Sequence, residues 1–217
     1  MEINIGLYLN KYKNMRLGFF RWRCEINVVY KIILASVFAC ITGLLAQIRI
    51  YLPWTIVPIT GQTFAVLLSA VVLGKWWGGI SQSIYLGVGL AGVPWFSPLE
   101  GMQMFSRGGL SVLFGPTGGY LIGFVFAAFL LGYFVDNYTR CRGFLSLLGL
   151  MLLTNFFVIY GFGLMHLYFW YTITGVSVDI WGLLWVGVVP FIIGDLVKIF
   201  LSASVSTVIL PKESYAF

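Results

Sequence analysis

The stretch from residue 181 to residue 210 holds thirty residues and only two charges, Asp195 and Lys198. A helix needs about 20 apolar residues to cross a bilayer, so this stretch is long enough to span one. A charge near the bilayer centre costs roughly 2.5–3.5 kcal/mol on insertion scales. At i, i+3 spacing the two side chains share a helix face and partly neutralise each other. The pair is therefore either a structural ion pair that joins helices or a site for an ion or polar ligand.

The composition of the whole chain predicts an all-α integral membrane protein. Hydrophobic residues make up 60% of it and charged residues 9%, with a mean hydropathy of +0.95. Soluble domains carry about 25% charged residues. The apolar runs have helical lengths, unlike the strands of about 10 residues in an outer-membrane barrel. The basic residues are not gathered on the surface of a soluble domain, so we expect no nucleic-acid partner.

Six spans are predicted from the apolar runs, at about 28–48, 62–74, 76–97, 116–135, 143–168 and 181–210. With the N-terminus inside, the outer segments hold only Arg49 and Arg107. Ten basic residues then lie on the inner side: Lys11, Lys13, Arg16, Arg21, Arg23, Lys31, Lys75, Arg140, Arg142 and Lys212. Because cytoplasmic loops are enriched in Lys and Arg, this bias predicts six transmembrane helices with both termini cytoplasmic.

The chain is predicted to have three parts: a basic N-terminal extension at 1–30, a six-helix membrane domain at 31–210 and a short cytoplasmic tail at 211–217. The extension mixes basic, aromatic and apolar side chains. It is either an amphipathic helix lying on anionic membrane lipid or a disordered tail. The outer loops are apolar and aromatic, which favours either a lid over an outward-opening cavity or an interfacial aromatic belt.

Nothing in the sequence points to an enzyme or to a bound metal. Intramembrane hydrolysis needs a nucleophile with an activating base, and the lone His166 has no such context. The three cysteines lack metal-ligand spacing. Ala35 and Ala39, four residues apart in the first span, form a flat strip on which another helix can pack. Spacing alone leaves open whether that helix is internal or belongs to a partner protein.

Four blocks in this order carry a family resemblance: VPITGQTFAVLLSAVVLG (57–74), IYLGVGLAGVPWF (84–96), GPTGGYLIGFVFAAFLLGYF (115–134) and PFIIGDLVKIFLSA (190–203). Together they resemble the BioY family, the biotin-specific substrate-binding components of energy-coupling factor transporters. The resemblance covers about residues 31–210. One departure is the loop SPLEGMQMFSRGG, which is longer and more charged than the short glycine-rich loop usual in the family.

The resemblance implies a multi-pass protein of a bacterial-type cell (inner) membrane, with six helices around a biotin site near the outer face. Biotin is the transported ligand, and no cofactor is implied. The implied partners are a transmembrane coupling protein and two cytoplasmic ATPases, with Ala35 and Ala39 pressed against the coupling protein. Whether the chain acts alone, as a homo-oligomer or with ATPases stays open.

The resemblance also identifies candidate ligand contacts. Asp195 is an implied acceptor for the ureido N–H groups, and Lys198 is an implied donor either to the ureido carbonyl or to a carboxylate. Arg107 is either a partner of the valerate carboxylate or a lipid headgroup anchor. The further candidates are polar, stacking or covering side chains: Gln62, Tyr85, Tyr120, Trp54 and Phe96. The alternatives to biotin uptake are a component for another vitamin or biotin relative, and a structural membrane protein whose buried pair only joins helices.

Overall fold

A computed structural model describes residues 5–211, with side chains described from residue 10 onward. The described residues form nine α-helices and one two-stranded antiparallel pair, β1 (Arg49–Ile50) with β2 (Ile59–Thr60). The helices are α1 Ile5–Glu25, α2 Val28–Gln47, α3 Gln62–Leu73, α4 Lys75–Leu90, α5 Gly118–Asn137, α6 Phe144–Leu153, α7 Tyr160–Ile173, α8 Ile180–Gly187 and α9 Ile192–Ile209. The predicted helical architecture is confirmed, apart from the short strand pair, which closes the loop of residues 51–58.

Four helical stretches in the described chain are long and apolar enough to cross a membrane. They are Val28–Gln47, Gly118–Asn137, Phe144–Ile173 and Ile180–Ile209. The second and third predicted spans correspond to α3 and α4, which have 12 and 16 residues. These two helices are shorter than a typical membrane-spanning helix of about 20 residues, so the structure leaves them as predicted spans.

The last predicted span is not one continuous helix. It breaks at Val188, whose backbone leaves the helical region at φ −132°, and a 3-10 turn at Val189–Phe191 follows. Pro190 lies in this turn and has no N–H to donate to the preceding helical turn, which favours the break. The break places Asp195 in the first turn of α9, where the positive end of the helix dipole stabilises a carboxylate.

Helices α3 and α4 form a sharp hairpin against α5. Gly74, the single residue between them, has φ +85°, a conformation that residues with a Cβ rarely adopt. A Cβ on Gly132 of α5 would lie 2.7 Å from the Cα of Lys75, so α5 approaches the hairpin backbone directly. Asp136 of α5 also accepts a hydrogen bond of 2.9 Å from the Lys75 backbone N–H. The hairpin and α5 therefore form one closely packed unit.

The small-residue strip of α2 packs inside the chain. Ala35 and Ala39 are both fully buried, on the face of α2 that contacts α3 and α4. On the same face, Thr42 accepts a hydrogen bond of 3.2 Å from Gln82 of α4. The expectation that the two alanines press against a coupling protein is therefore not met in this structure, because neither has exposed surface. Internal packing, the alternative reading of the spacing, describes their position.

Helix α1 lies across the end of the bundle where α5 meets the turn of the α3–α4 hairpin. Arg23 contacts Asp136 at 2.6 Å and donates to the Val71 carbonyl at 2.9 Å. The ring of Phe20 lies between two guanidinium groups, 4.3 Å from Arg23 and 4.6 Å from Arg142. Residues 5–25 are therefore a docked helix rather than a disordered tail, while contact with lipid stays a prediction. The predicted tail 211–217 lies outside the described residues except for Pro211.

Replacement of Arg23 by Gln should destabilise the fold because Asp136 loses a charged partner in a largely buried site. A hydrogen bond to a charged group contributes about 1.5–3 kcal/mol. We expect the midpoint of thermal unfolding in detergent to fall by at least about 3 °C. The matched control is Lys11→Gln, which removes an exposed cation from the same helix. Equal midpoints for the two variants would contradict the docked position of α1.

Candidate functional site

A cavity that opens to solvent lies between the helices and the loops that join them; the empty space around it, open solvent at its mouth included, is about 610 Å³. Side chains of α3, α5, α7 and α9, and of the short turns that precede α7 and α9, form its walls, and the segments 51–61 and 91–117 contribute the rest. Six of the eight predicted ligand contacts line it: Gln62, Phe96, Arg107, Tyr120, Asp195 and Lys198. The structure therefore gathers around one cavity residues that lie as far apart as 62 and 198 in the sequence.

The Asp195 carboxylate is the most densely hydrogen-bonded group in the cavity wall, and it is 2% exposed. Its Oδ1 lies 2.5 Å from Nζ of Lys198, which confirms the ion pair predicted from the i, i+3 spacing. Its Oδ2 accepts from Asn155 Nδ2 at 2.8 Å and from the Tyr160 hydroxyl at 2.6 Å. The Lys198 ammonium also donates to the Thr60 carbonyl at 2.9 Å.

These contacts explain how two charges are tolerated inside the bundle. A buried charge is costly unless it is paired and its remaining hydrogen-bonding capacity is satisfied. Lys198 offers three N–H donors, two of which have the partners just described. A neutral ligand with adjacent donor and acceptor groups is able to replace the internal ion pair without leaving either charge alone. The arrangement favours such a ligand over a free cation or anion, each of which one member of the pair would repel.

Gln62 and Tyr85 act together, one in the cavity wall and one behind it. Gln62 donates to the Tyr85 hydroxyl at 2.7 Å and accepts from the Thr60 hydroxyl at 2.8 Å. Tyr85 is 1% exposed and does not line the cavity. The structure therefore places Tyr85 as a support for Gln62, away from the position of a direct contact.

Tyr120 faces the cavity with its ring because its hydroxyl is already bonded. The hydroxyl donates to the Gly187 carbonyl at 2.9 Å, at the end of α8. Gly163 of α7 and Gly187 leave room for this side chain, since a Cβ on Gly187 would lie 2.8 Å from the hydroxyl oxygen. Tyr120 therefore contributes an apolar surface and links the broken last span to α5.

The two predicted aromatic covers have different positions. Phe96 is 1% exposed, lines the cavity and meets the Tyr85 ring edge-on, with centroids 5.3 Å apart. Trp54 is 60% exposed and lies outside the cavity wall. The reason is local, since the β1–β2 pair closes the loop and the Thr55 hydroxyl binds the Val186 carbonyl at 2.7 Å. This anchoring leaves Trp54 at the outer turn of the loop.

Arg107 brings a cation to the cavity from the loop between α4 and α5. Its guanidinium donates to the Ser97 carbonyl at 3.1 Å, and its own carbonyl accepts from the Phe96 N–H at 3.0 Å. Burial lowers the pKa of the Arg107 guanidinium from its usual value. Arginine nevertheless keeps its proton in proteins, so the cavity holds a fixed positive charge at this wall.

The loop that carries Arg107 is tied to the end of α2. Gln47 donates to the carbonyls of Trp95 and Phe96 at 3.0 and 3.3 Å, and its Oε1 accepts from the Phe105 N–H at 2.9 Å. Phe105 has φ +54°, which is unfavourable for a residue with a Cβ. Arg49 adds a bond of 2.7 Å to the Met102 carbonyl. The loop is therefore an ordered part of the cavity wall, held by Gln47.

Sequence reasoning missed Asn155 and Tyr160, the two side chains that bind Oδ2 of Asp195. Asn155 gave a usable signal, because an amide within an apolar span is costly unless it has a polar partner. Tyr160 gave none, since the same span holds several other aromatic residues. Thr60, which binds both Gln62 and Lys198, was quoted only as part of a motif block.

Comparisons with known proteins agree with one another. The BioY family model matches residues 15–213, so the match begins inside the segment 1–30 that the sequence analysis set apart. The chain is 48% identical over 149 residues to the "Probable biotin transporter BioY" of Methanothermobacter thermautotrophicus, covering 68% of this chain and 90% of that protein. It is 34% identical over 176 residues to the "Biotin transporter BioY" of Thermotoga maritima, covering 81% and 93%.

A solved structure resembles the fold over most of both chains. It is the crystal structure of the S-component for biotin from an ECF-type ABC transporter. The two superpose with a TM-score of 0.70 at 25% sequence identity, covering 82% of this chain and 89% of the other. The similarity thus includes the overall fold as well as the sequence.

Replacement of Gln47 by Leu should loosen the loop over the cavity, because Phe105 loses the acceptor that holds its unfavourable backbone. Hydrogen–deuterium exchange should become faster at residues 97–109 and stay unchanged in α5. The control is Gln103→Leu, an exposed glutamine of the same loop whose side chain has no described hydrogen bond. Unaltered exchange in the Gln47 variant would show that the loop is held without this side chain.

Proposed function

The chain belongs to the BioY family, and from that premise we propose that it takes up biotin as the membrane-embedded binding component of an energy-coupling factor transporter. One observation carries the proposal: the buried Asp195–Lys198 pair stands in the wall of a cavity bounded by apolar side chains. The relatives named as biotin transporters and the biotin S-component of similar fold support the choice of ligand.

The ureido ring of biotin fits the pair chemically. It is neutral and offers two N–H donors beside one carbonyl acceptor, so Asp195 accepts from the N–H groups and Lys198 donates to the carbonyl. The internal ion pair at 2.5 Å is exchanged for these contacts when biotin binds. Neither charge is then left unpaired in a buried site, which keeps the cost of exchange small.

The other parts of biotin fit the remaining walls. Phe96 and Tyr120 present aromatic rings for the apolar thioether ring. Arg107 carries the positive charge that the valerate carboxylate requires, and an arginine–carboxylate pair is among the stronger hydrogen-bonded contacts in proteins. Gln62, supported by Tyr85, supplies a further polar contact. Trp54 has no place in this arrangement because it lies outside the wall.

We further propose six crossings with both termini in the cytoplasm and a binding site that opens outward. The contacts of Arg23 with Asp136 and of Asp136 with Lys75 put these basic residues at one end of the bundle. Arg49 and Arg107 belong to the loops at the other end, so the positive-inside rule favours this orientation. A transmembrane coupling protein, two cytoplasmic ATPases and anionic lipid under α1 complete the proposed partners.

Asp195→Asn and Lys198→Met should each weaken biotin binding at least tenfold, because each removes a charged hydrogen-bond partner that contributes about 1.5–3 kcal/mol. Binding of labelled biotin to purified protein in detergent measures the effect. The control is Glu100→Gln, an exposed charge outside the cavity. Unchanged affinity in both site variants, or equal competition by thiamine or riboflavin, would overturn the proposed function.

Arg107→Gln should separate recognition of the carboxylate from recognition of the ring. We expect biotin affinity to fall roughly tenfold, since a charge-assisted contact is lost, while the methyl ester of biotin binds wild type and variant alike. Competition against labelled biotin gives both affinities. Arg140→Gln, an exposed charge outside the cavity, is the control. An equal loss of affinity for biotin and for its methyl ester would show that Arg107 does not contact the carboxylate of biotin and has a structural role.

A further inference from the structure

The helical stretch Phe144–Ile173 contains one π-helical turn, Thr154–Ile159, between α6 and α7. In an α-helix, residues 155 and 160 would lie about 140° apart around the axis, because five residues advance roughly 500°. A π-turn bonds residues five apart and brings them to the same side. Asn155 and Tyr160 accordingly reach the same atom, Oδ2 of Asp195, at 2.8 and 2.6 Å.

We propose that this π-turn positions the ligand-binding carboxylate: it brings Asn155 and Tyr160 to Oδ2 of Asp195 and so reserves Oδ1 for an N–H donor of the ligand. The inference rests on the proposed function and adds two positioning residues to it. Both act through Asp195. Tyr160 also lines the cavity, but its hydroxyl is occupied by Oδ2 of Asp195, so its role needs no polar contact with the ligand. Asn155 is fully buried and absent from the cavity wall.

The π-turn leaves a buried polar atom without a hydrogen bond, which a segment selected only for stability would avoid. Within the described residues, Oδ1 of Asn155 is buried without a hydrogen-bond partner. An unsatisfied buried acceptor is unfavourable, and a core built for stability alone would place an apolar side chain there. The amide is instead kept with its Nδ2 on Asp195. Proteins depart from regular helix and from full hydrogen bonding mainly at functional sites. The position of the Asp195 carboxylate is therefore the reason we infer for the π-turn.

The two oxygens of Asp195 thereby acquire different roles. Oδ2 is held by two donors from one helix, while Oδ1 has Lys198 at 2.5 Å and the Thr63 hydroxyl at 3.4 Å. When a ligand N–H displaces the Lys198 ammonium from Oδ1, the carboxylate is unable to rotate and follow the ammonium, because Oδ2 stays bound to Asn155 and Tyr160. Lys198 is then free to meet an adjacent ligand carbonyl. The site thus selects a neutral group with neighbouring N–H and C=O, such as a cyclic urea.

The experiment combines single variants with a double-mutant cycle. Tyr160→Phe removes only a hydroxyl, and Asn155→Leu removes the amide at similar volume. Each should weaken biotin binding roughly tenfold in an otherwise wild-type chain. In an Asp195→Asn background, assayed at raised biotin concentration, the further loss should fall below about twofold, because residues that act as a unit are not additive. Tyr133→Phe, an exposed tyrosine of α5, should change nothing.

The outcomes separate this inference from the proposed function. If Asp195→Asn weakens binding while both single variants bind like wild type, the positioning role is overturned and the proposed function stands. Equal fold losses with and without the Asp195 carboxylate would also overturn it, since the two residues would then act by packing. Failure of the unaltered protein to bind biotin would instead reject the proposed function. If Asn155→Leu does not fold, Tyr160→Phe alone decides.

Discussion

The arrangement of the cavity depends on the buried Asp195 carboxylate and on the hydrogen-bond donors that it requires. A buried anion requires donors from every direction, and they come from separate elements: Thr63 on α3, Asn155 and Tyr160 around the π-turn, and Lys198 on α9 itself. Satisfying one charge therefore joins three helical segments that are far apart in sequence. The same contacts define the polar wall of the cavity, so the atoms that satisfy this charge are also those proposed to recognise the ligand.

Two interruptions of regular helix make this possible. The break at Val188 lets α9 begin close to Asp195, and the π-turn rotates Tyr160 onto the face that carries Asn155. A straight α-helix in either place would keep its backbone hydrogen bonds but point these side chains elsewhere. Discontinuous helices recur at the binding sites of membrane transporters, where irregular backbone is tolerated because it lines a cavity. Here the irregular segments belong to the last two apolar stretches of the chain.

The far end of the bundle has a second charged cluster with a different character. Arg23 and Asp136 are paired next to the Gly74 turn, and Phe20 is packed between two guanidinium groups. This cluster fixes α1, α3 and α5 to one another, and neither Arg23 nor Asp136 lines the cavity beside Asp195. At one end of the bundle the charged pair holds helices together, and at the other the Asp195–Lys198 pair lies in a cavity wall, where we propose that a ligand replaces it. The contrast explains why only one of the two buried pairs is a candidate site.

The sequence by itself determined the class of fold, the helical stretches and the Asp195–Lys198 pair, because long apolar runs and i, i+3 spacing are local properties. Of the eight ligand contacts that it suggested through the family resemblance, six line the cavity. Only the tertiary structure decided that Ala35 and Ala39 are internal, that Trp54 points away, and that Tyr85 stands behind Gln62. Such facts depend on which faces of distant helices meet. The partners of Oδ2 belong to this second group, since a π-turn changes the direction of a side chain without changing the apolar pattern that predicts the helix.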